Sequence, residues 1–239
     1  MARHTAIRRP VKDLDLFLRR QDCRQALQVL TAAGYGTELA FKHWLAKVHC
    51  EDEYIDLIFN SGNGLCAVTD LWFDFAVPVR VLGRRVHVCA AEEMIWSKAF
   101  IMERERYDGA DVAHLLRATG RSLDWGRLLR HFGAHWPVLL SHLILFDFIY
   151  PGEPSPIPQE VVRILLTRWS EQRGQALAGA DLCQGTLLSR AQYLVDVQKW
   201  GYRDARLSPG GTMTTEEIKE WTAPVIEKET QLTTEAETE

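Results

Sequence analysis

Two short apolar runs interrupted by aspartate constrain this chain more than anything else in it: Lys12-Asp-Leu-Asp-Leu-Phe17 and Tyr54-Ile-Asp-Leu-Ile-Phe59. Both have the period-two alternation of strands. Successive side chains of a strand point to opposite faces, so Asp13 and Asp15 share one face while Leu14, Leu16 and Leu18 take the other. Asp56 likewise faces away from Ile55, Leu57 and Phe59. Aspartate is depleted in strands, although on the wet side of a half-buried sheet each one alone would be an ordinary solvent-facing residue. If the two strands are neighbours, three carboxylates meet at one spot, and their repulsion calls for a divalent cation between them. That is the chemistry of metal-assisted phosphoryl transfer.

The rest of the chain is ordinary enough to frame this signal. Its 239 residues, 46% hydrophobic with eight tryptophans, can build one large or two modest domains around a real core. A net charge of -4 supplies no global basic field for nucleic acid, although Arg8, Arg9 and Lys12 cluster beside the first aspartates. The five cysteines, at positions 23, 50, 66, 89 and 183, form no CxxC pair, so reduced thiols and a cytoplasmic location are expected. The amino terminus lacks an apolar signal core and no run reaches the ~18 apolar residues of a membrane span, so no membrane partner is expected.

Local patterns predict a helix from Asp22, as N-cap, to a stop at Gly34, then strands at Thr37 to Ala40, Trp44 to Cys50 and the Asp56 run. Ser61-Gly-Asn-Gly64 reads as a turn, and Val79 to Val88 as a hairpin turning at Gly83. From Glu92 the period becomes helical, with helices expected at 92–106, 108–118, 124–132, 136–149, 158–173 and 189–199. Trp136 to Tyr150 reads as a buried helix, and the proline-rich 151–158 segment as a stiff linker. The Thr/Glu-rich stretch from 223 to 239 reads as a disordered acidic tail.

A second charged anomaly sits in the helical part. Ile95, Lys98, Ala99 and Met102 fall at i, i+3, i+4 and i+7, so Lys98 occupies a slot in an apolar stripe. Asp108, Asp111, Val112 and Leu115 repeat the spacing and put Asp111 at the edge of the next buried face. A lysine in that slot either snorkels to water along apolar surface or meets an anion, and Asp111 either forms a salt bridge or serves that anion's site. Arg104 and Arg106 lie between the two helices. Other candidate signals are weaker. His131 and His135 are four apart but Gly133 and Pro137 weaken a helix there, and although His43, His49 and Cys50 cluster, strand parity sends His49 and Cys50 to opposite faces, so neither set is a credible metal site.

The Lys12–Phe17 strand, the Ile55-Asp-Leu-Ile-Phe-Asn60 strand and Glu92-Glu-Met-Ile-Trp-Ser-Lys-Ala-Phe-Ile-Met-Glu-Arg-Glu-Arg-Tyr-Asp-Gly-Ala-Asp-Val-Ala-His114 together resemble the polymerase-β-type nucleotidyltransferases. The closer similarity is to the bacterial minimal or toxin-like group, and it spans about residues 4 to 150. Cys183 to Arg190 and Trp200 to Asp204 are similar to the carboxy-terminal portion of the same bacterial proteins. The resemblance implies an α/β fold, a small mixed β-sheet flanked by helices, with a nucleotidyltransferase-like domain over 1–120, a helical carboxy-terminal region over 121–222 and the tail over 223–239. It implies that Asp13, Asp15 and Asp56 bind Mg2+, two ions with bound nucleotide, and that Asp56 helps activate the acceptor. Lys98 would contact the nucleoside triphosphate, Arg106 would support the same phosphates, and Asp111 would orient Lys98 or the nucleotide.

Transfer of a nucleoside monophosphate to an acceptor, whether RNA, protein or small molecule, is the implied activity. Members of the family carry a Gly-Gly or Gly-Ser/Thr turn upstream of the paired aspartates, whose backbone N–H groups hold phosphate. Residues 1–12 contain no such turn. The expectation is therefore that this cradle lies further upstream or has been lost together with much of the activity. Loss would leave a catalytically impaired nucleotide-binding or protein-interaction module. A toxin partnered by an antitoxin is the third reading.

Overall fold

A computed structural model describes residues 14–51, 53–152, 154–173, 181–207 and 209–223. Asp13, the basic residues Arg8, Arg9 and Lys12, and all but the first residue of the 223–239 segment lie outside the described residues. The chain divides into two compact units that interleave in sequence, one of residues 11–70 and 181–239 and the other of residues 1–10 and 71–180. They are called the sheet unit and the helical unit below. The division at 120 and 222 that the resemblance implies is one of consecutive sequence segments, whereas these compact units are interleaved in sequence.

The sheet unit contains β1 (Leu14–Phe17), α1 (Arg20–Ala32), β2 (Gly36–Phe41), β3 (Leu45–Cys50) and β4 (Glu53–Ile58). Strand order is β1-β4-β3-β2, with β1 parallel to β4 and the other pairs antiparallel. Alternation puts Ala46, Val48, Leu57 and Phe59 on one face, where they form a core with Cys23 of α1. Leu18, Ala26, Leu27 and Leu30 pack against that core. A fully buried side chain such as Val48 or Leu57 contributes on the order of 1.5–3 kcal/mol. The helix stops where expected: Gly34 takes φ +93°, Tyr35 N–H donates to Leu30 O (3.1 Å) and Gly34 N–H to Thr31 O (3.0 Å). This is the Schellman pairing that a glycine at that position permits. The start differs from expectation, because Arg19 holds the N-cap position and Asp22 sits in the first turn as its ion-pair partner.

The Ser61–Gly64 turn does more than reverse the chain. Asn63 Nδ2 donates to Leu187 O (2.7 Å) and Thr212 Oγ1 to Gly64 O (2.8 Å). A Cβ on Gly62 would lie 2.5 Å from the Trp221 ring, so glycine is what lets the carboxy-terminal segment approach. That segment contributes β7 (Leu182–Cys183) and β8 (Arg203–Asp204), which pair in parallel, with α8 (Leu194–Gln198) between them. The expected 189–199 helix is thus a single short turn, and residues 215–223 are helical instead. Behind β8, fully buried Arg206 is forked onto Asp204, with Nη2–Oδ2 at 2.6 Å and Nε–Oδ1 at 3.0 Å. Gly64 has φ +79°, and an added Cβ would meet Thr212 Oγ1 at 2.5 Å. Gly64→Ala is therefore expected to cost at least about 1–2 kcal/mol from the left-handed backbone alone, read as a lower urea midpoint at unchanged slope.

The helical unit opens with α2 (Asp70–Asp74), of which residues 71–74 belong to it, followed by a hairpin of β5 (Val77–Val81) and β6 (Arg84–Val88). Leu82 (φ 48°) and Gly83 (φ 78°) make its two-residue turn, the double positive-φ geometry that suits strand twist. Then come α3 (Ala91–Ala99), α4 (Gly109–Thr119), α5 (Trp125–Phe132), α6 (Trp136–Ile149) and α7 (Gln159–Gln172). Ile95, Leu115, Leu116, Leu128, Leu139, Leu143 and Leu165 are fully buried among these helices. The expected 92–106 helix ends seven residues early because the chain reverses through a Met102–Tyr107 bridge, with Glu103 N–H donating to Arg106 O (2.8 Å).

Residues Trp125–Ile149 form a helical stretch long and apolar enough, by length and composition, to cross a membrane. No such run is expected from the sequence. Gly133, at φ 48°, breaks the stretch, and Leu128, Phe132, Leu139 and Phe146 are buried in this unit. The α6 helix is not buried all round as expected, since Ile144 and Phe148 are 57% and 80% exposed.

Candidate functional site

The aspartate signal falls in the sheet unit. Parallel register sets Asp15 directly opposite Asp56 on β1 and β4, on the face away from the core. Antiparallel register then sets Lys47 of β3 opposite Asp56, and Glu38 of β2 opposite Lys47. Four adjacent strands thus present Asp15, Asp56, Lys47 and Glu38 in a row, with neighbouring strands ~4.8 Å apart. Lys47 Nζ lies 2.9 Å from Asp56 Oδ1 and 4.6 Å from the centre of the Tyr54 ring. Asp56 is largely shielded, with its side chain 16% exposed, whereas Asp15 is exposed.

This row joins two of the three expected carboxylates, and Asp13 lies outside the described residues. Sequence reasoning missed Lys47. Its signal was the alternation of β3 itself, Leu45-Ala-Lys-Val-His-Cys50, which places position 47 off the core face. Among the described residues no group of three His, Cys, Asp or Glu side chains could hold a metal. The pair of Asp15 and Asp56 fits a magnesium ion by donor chemistry, being oxygen-only and anionic, and the Lys47 ammonium shows that Asp56 accepts a cation.

The second constellation falls in the helical unit. Lys98 leaves the last turn of α3 and its Nζ lies 3.0 Å from Asp108 Oδ2 and 2.9 Å from Asp111 Oδ2. Arg106 forks onto the same Asp108, Nε to Oδ1 and Nη2 to Oδ2 both at 3.1 Å. The side chains of Lys98, Asp108 and Asp111 are only 18%, 11% and 14% exposed. Lys98 is therefore an ion-paired, half-buried lysine rather than one snorkelling alone into water. The Met102–Tyr107 bridge makes this possible by returning the chain to α3, where Asp108 N–H donates to Ile101 O (3.1 Å).

Asp108 joins the set of expected residues as its central member. The available signal was its place three residues before Asp111, at the N-cap position of α4. Burial acts to raise the Asp108 carboxyl, but the Arg106 hydrogen bonds and the nearby Lys98 and Arg106 charges outweigh it and hold the group below its ordinary value. The two constellations belong to different units.

His142 secures the end of α3, its Nε2–H donating to Ala99 O at 2.9 Å with the ring stacked on Tyr107. Burial pushes this imidazole below its usual value, as it does His43 in the sheet unit, whose Nε2 contacts Gly62 O at 3.0 Å. A folded-state value below the unfolded one means that protons bind the unfolded chain first as pH falls. Stability is thus expected to drop from pH ~6.5 downward, by up to ~1.4 kcal/mol per pH unit for each histidine, until the folded values are reached. Urea titrations between pH 7.5 and 5 test this, and a flat profile would contradict it. Burial also pushes the Cys66 and Cys89 thiols up to about 12, which removes both as nucleophiles.

A mixed sheet backed by a helix, with carboxylates in register on its open face, defines a nucleotidyltransferase-like α/β protein. The model of a family described as "Uncharacterised nucleotidyltransferase" matches residues 4–142, and the chain belongs to that family. Its general function is accordingly nucleotidyl transfer. No curated protein and no solved structure gives a significant match.

Proposed function

We propose that the protein is a metal-dependent nucleotidyltransferase that moves a nucleoside monophosphate from a nucleoside triphosphate to an acceptor hydroxyl or phosphate. The observation that carries this reading is the register pairing of Asp15 with Asp56 on the open face of the sheet. Asp13, Asp15 and Asp56 would hold magnesium, which when bound supplies charge neutralisation for the oxygens that enter and leave phosphorus. Asp56 takes the proton of the attacking acceptor hydroxyl as the new P–O bond forms at the α-phosphorus. The bond to the β-phosphate breaks and pyrophosphate leaves. Taken by itself, the helical unit would offer Lys98 and Arg106 as cations for a nucleoside triphosphate, and Asp108 and Asp111 hold the Lys98 ammonium in place at 2.9–3.0 Å.

A second reading, a nucleotide-binding or protein-interaction module without transfer, is favoured by the Lys47–Asp56 ion pair, which already satisfies one carboxylate. A reducing, cytoplasmic setting is part of the proposal and suits the five free cysteines. The test is incubation of the full chain with each labelled triphosphate, magnesium and cell extract, with and without EDTA. Chelator-sensitive label on an acceptor supports transfer. Triphosphate binding without label supports the second reading.

The proposal also carries a prediction for Lys98. Lys98→Ala is expected to weaken triphosphate binding about tenfold or more in calorimetry, in line with the ~1.5–3 kcal/mol of a charge-assisted hydrogen bond. Affinity equal to that of the parent would leave Lys98 as the partner of Asp108 and Asp111 only.

A further inference from the structure

The sheet unit contains a surface groove of about 690 Å³, within the ~300–1,000 Å³ typical of small-ligand sites. Its floor is Cys23 and Leu27 of α1, Leu39 of β2, and Phe59. Its rim carries Arg20, Arg24 and Lys42, and none of the described residues lining it is acidic. This places three cations around an apolar floor in a protein whose net charge is -4.

The neighbouring Arg19 shows how the chain treats a cation that it means to neutralise, for it pairs with both Asp22 and Asp70. The groove cations are treated differently. Arg20 donates to the His43 carbonyl (3.3 Å) and lies 5.7 Å over the Phe59 ring, contacts that orient the guanidinium without cancelling its charge. Arg24 and Lys42 have no ion-pair partner among the described residues, and both are exposed. Arg20 and Arg24 are four apart on α1, so they stand on the same side of the helix as Cys23 and Leu27.

These features together select a ligand with an apolar body and an anionic head. A bare inorganic anion would leave the apolar floor wet. A polynucleotide would want aromatic surface on which bases can stack, and the one aromatic ring among the described lining residues, Phe59, is 2% exposed. We propose that the groove between α1 and β2 is a binding site for a small amphiphilic anion, an alkyl chain ending in one phosphate or carboxylate. The chain lies on Leu27 and Leu39, and the head meets Arg24 and Lys42. Nothing in this assignment depends on nucleotidyl transfer.

The test is calorimetry on the full chain with decyl phosphate, kept below its micelle-forming concentration, beside inorganic phosphate and decanol. Decyl phosphate is expected to bind at least about tenfold more tightly than either control, because each control lacks one half of the recognition. Arg24→Gln with Lys42→Gln should weaken it at least about tenfold while leaving the melting temperature unchanged, both residues being exposed. No binding of decyl phosphate to the parent, or equal binding to parent and double variant, would overturn the assignment. So would binding only to phosphatidic acid vesicles, which would mark a membrane surface, or only to a single-stranded oligonucleotide, which would mark a polyanion surface.

Discussion

Replacing Arg127 by alanine is expected to destabilise the protein by about 3–5 kcal/mol, a large share of the ~5–15 kcal/mol that holds most domains together. The residue, on α5, is 7% exposed and joins two carboxylates of α3, Nη2 to Glu92 Oε2 at 2.6 Å and Nη1 to Glu93 Oε1 at 2.7 Å. Its guanidinium lies 3.9 Å over the Phe75 ring, and His131 reaches the same Glu93 oxygen at 3.0 Å. Removing the arginine strands two buried carboxylates, of which Glu93 is 0% exposed and its Oε2 already has no hydrogen-bond partner among the described residues. Urea unfolding of Arg127→Ala measures the loss. An Arg127→Met, Glu92→Gln, Glu93→Met variant, which removes all three formal charges together, should recover most of it. A loss under about 1 kcal/mol in the single variant would mean that water reaches the cluster.

Changing Asp15 and Asp56 together to asparagine is expected to lower nucleotidyl transfer at least about 10³-fold, since a metal's charge stabilisation is worth several kcal/mol and each ~1.36 kcal/mol is tenfold in rate. The fold should survive. The two carboxylates face each other across a strand pair with a like-charge penalty, and their loss relieves it while giving up the partly exposed ion pair of Asp56 with Lys47. A double variant with parental melting temperature and transfer lowered by that factor is the expected result. Parental transfer would remove the carboxylates from the chemistry.

Much of the sheet unit was legible because strand parity and helix stops are local. Leu14 and Leu16 pair with Ile55 and Leu57, and Asp15 with Asp56, as alternation demands once β1 and β4 are neighbours. Gly34 ends α1 because only the turn geometry at its own position matters. The helical period from residue 92 located α3 to α7, and it failed at residue 99 because Arg104 and Arg106 are good helix formers that a tertiary reversal overrides.

The chain's own order of residues thus determined which side chains share a face, where α1 stops, and that Lys98 falls in an apolar stripe. Only the tertiary structure decided which partners the side chains meet: Lys47 on Asp56, Asp108 joined to Asp111 on Lys98, Arg127 between two glutamates, and Trp221 over Gly62. The physical reason is one of range. A face follows from dihedral geometry repeated every two or 3.6 residues, whereas a side chain's partner follows from strand register and loop closure between segments as much as 159 residues apart, as with Gly62 and Trp221.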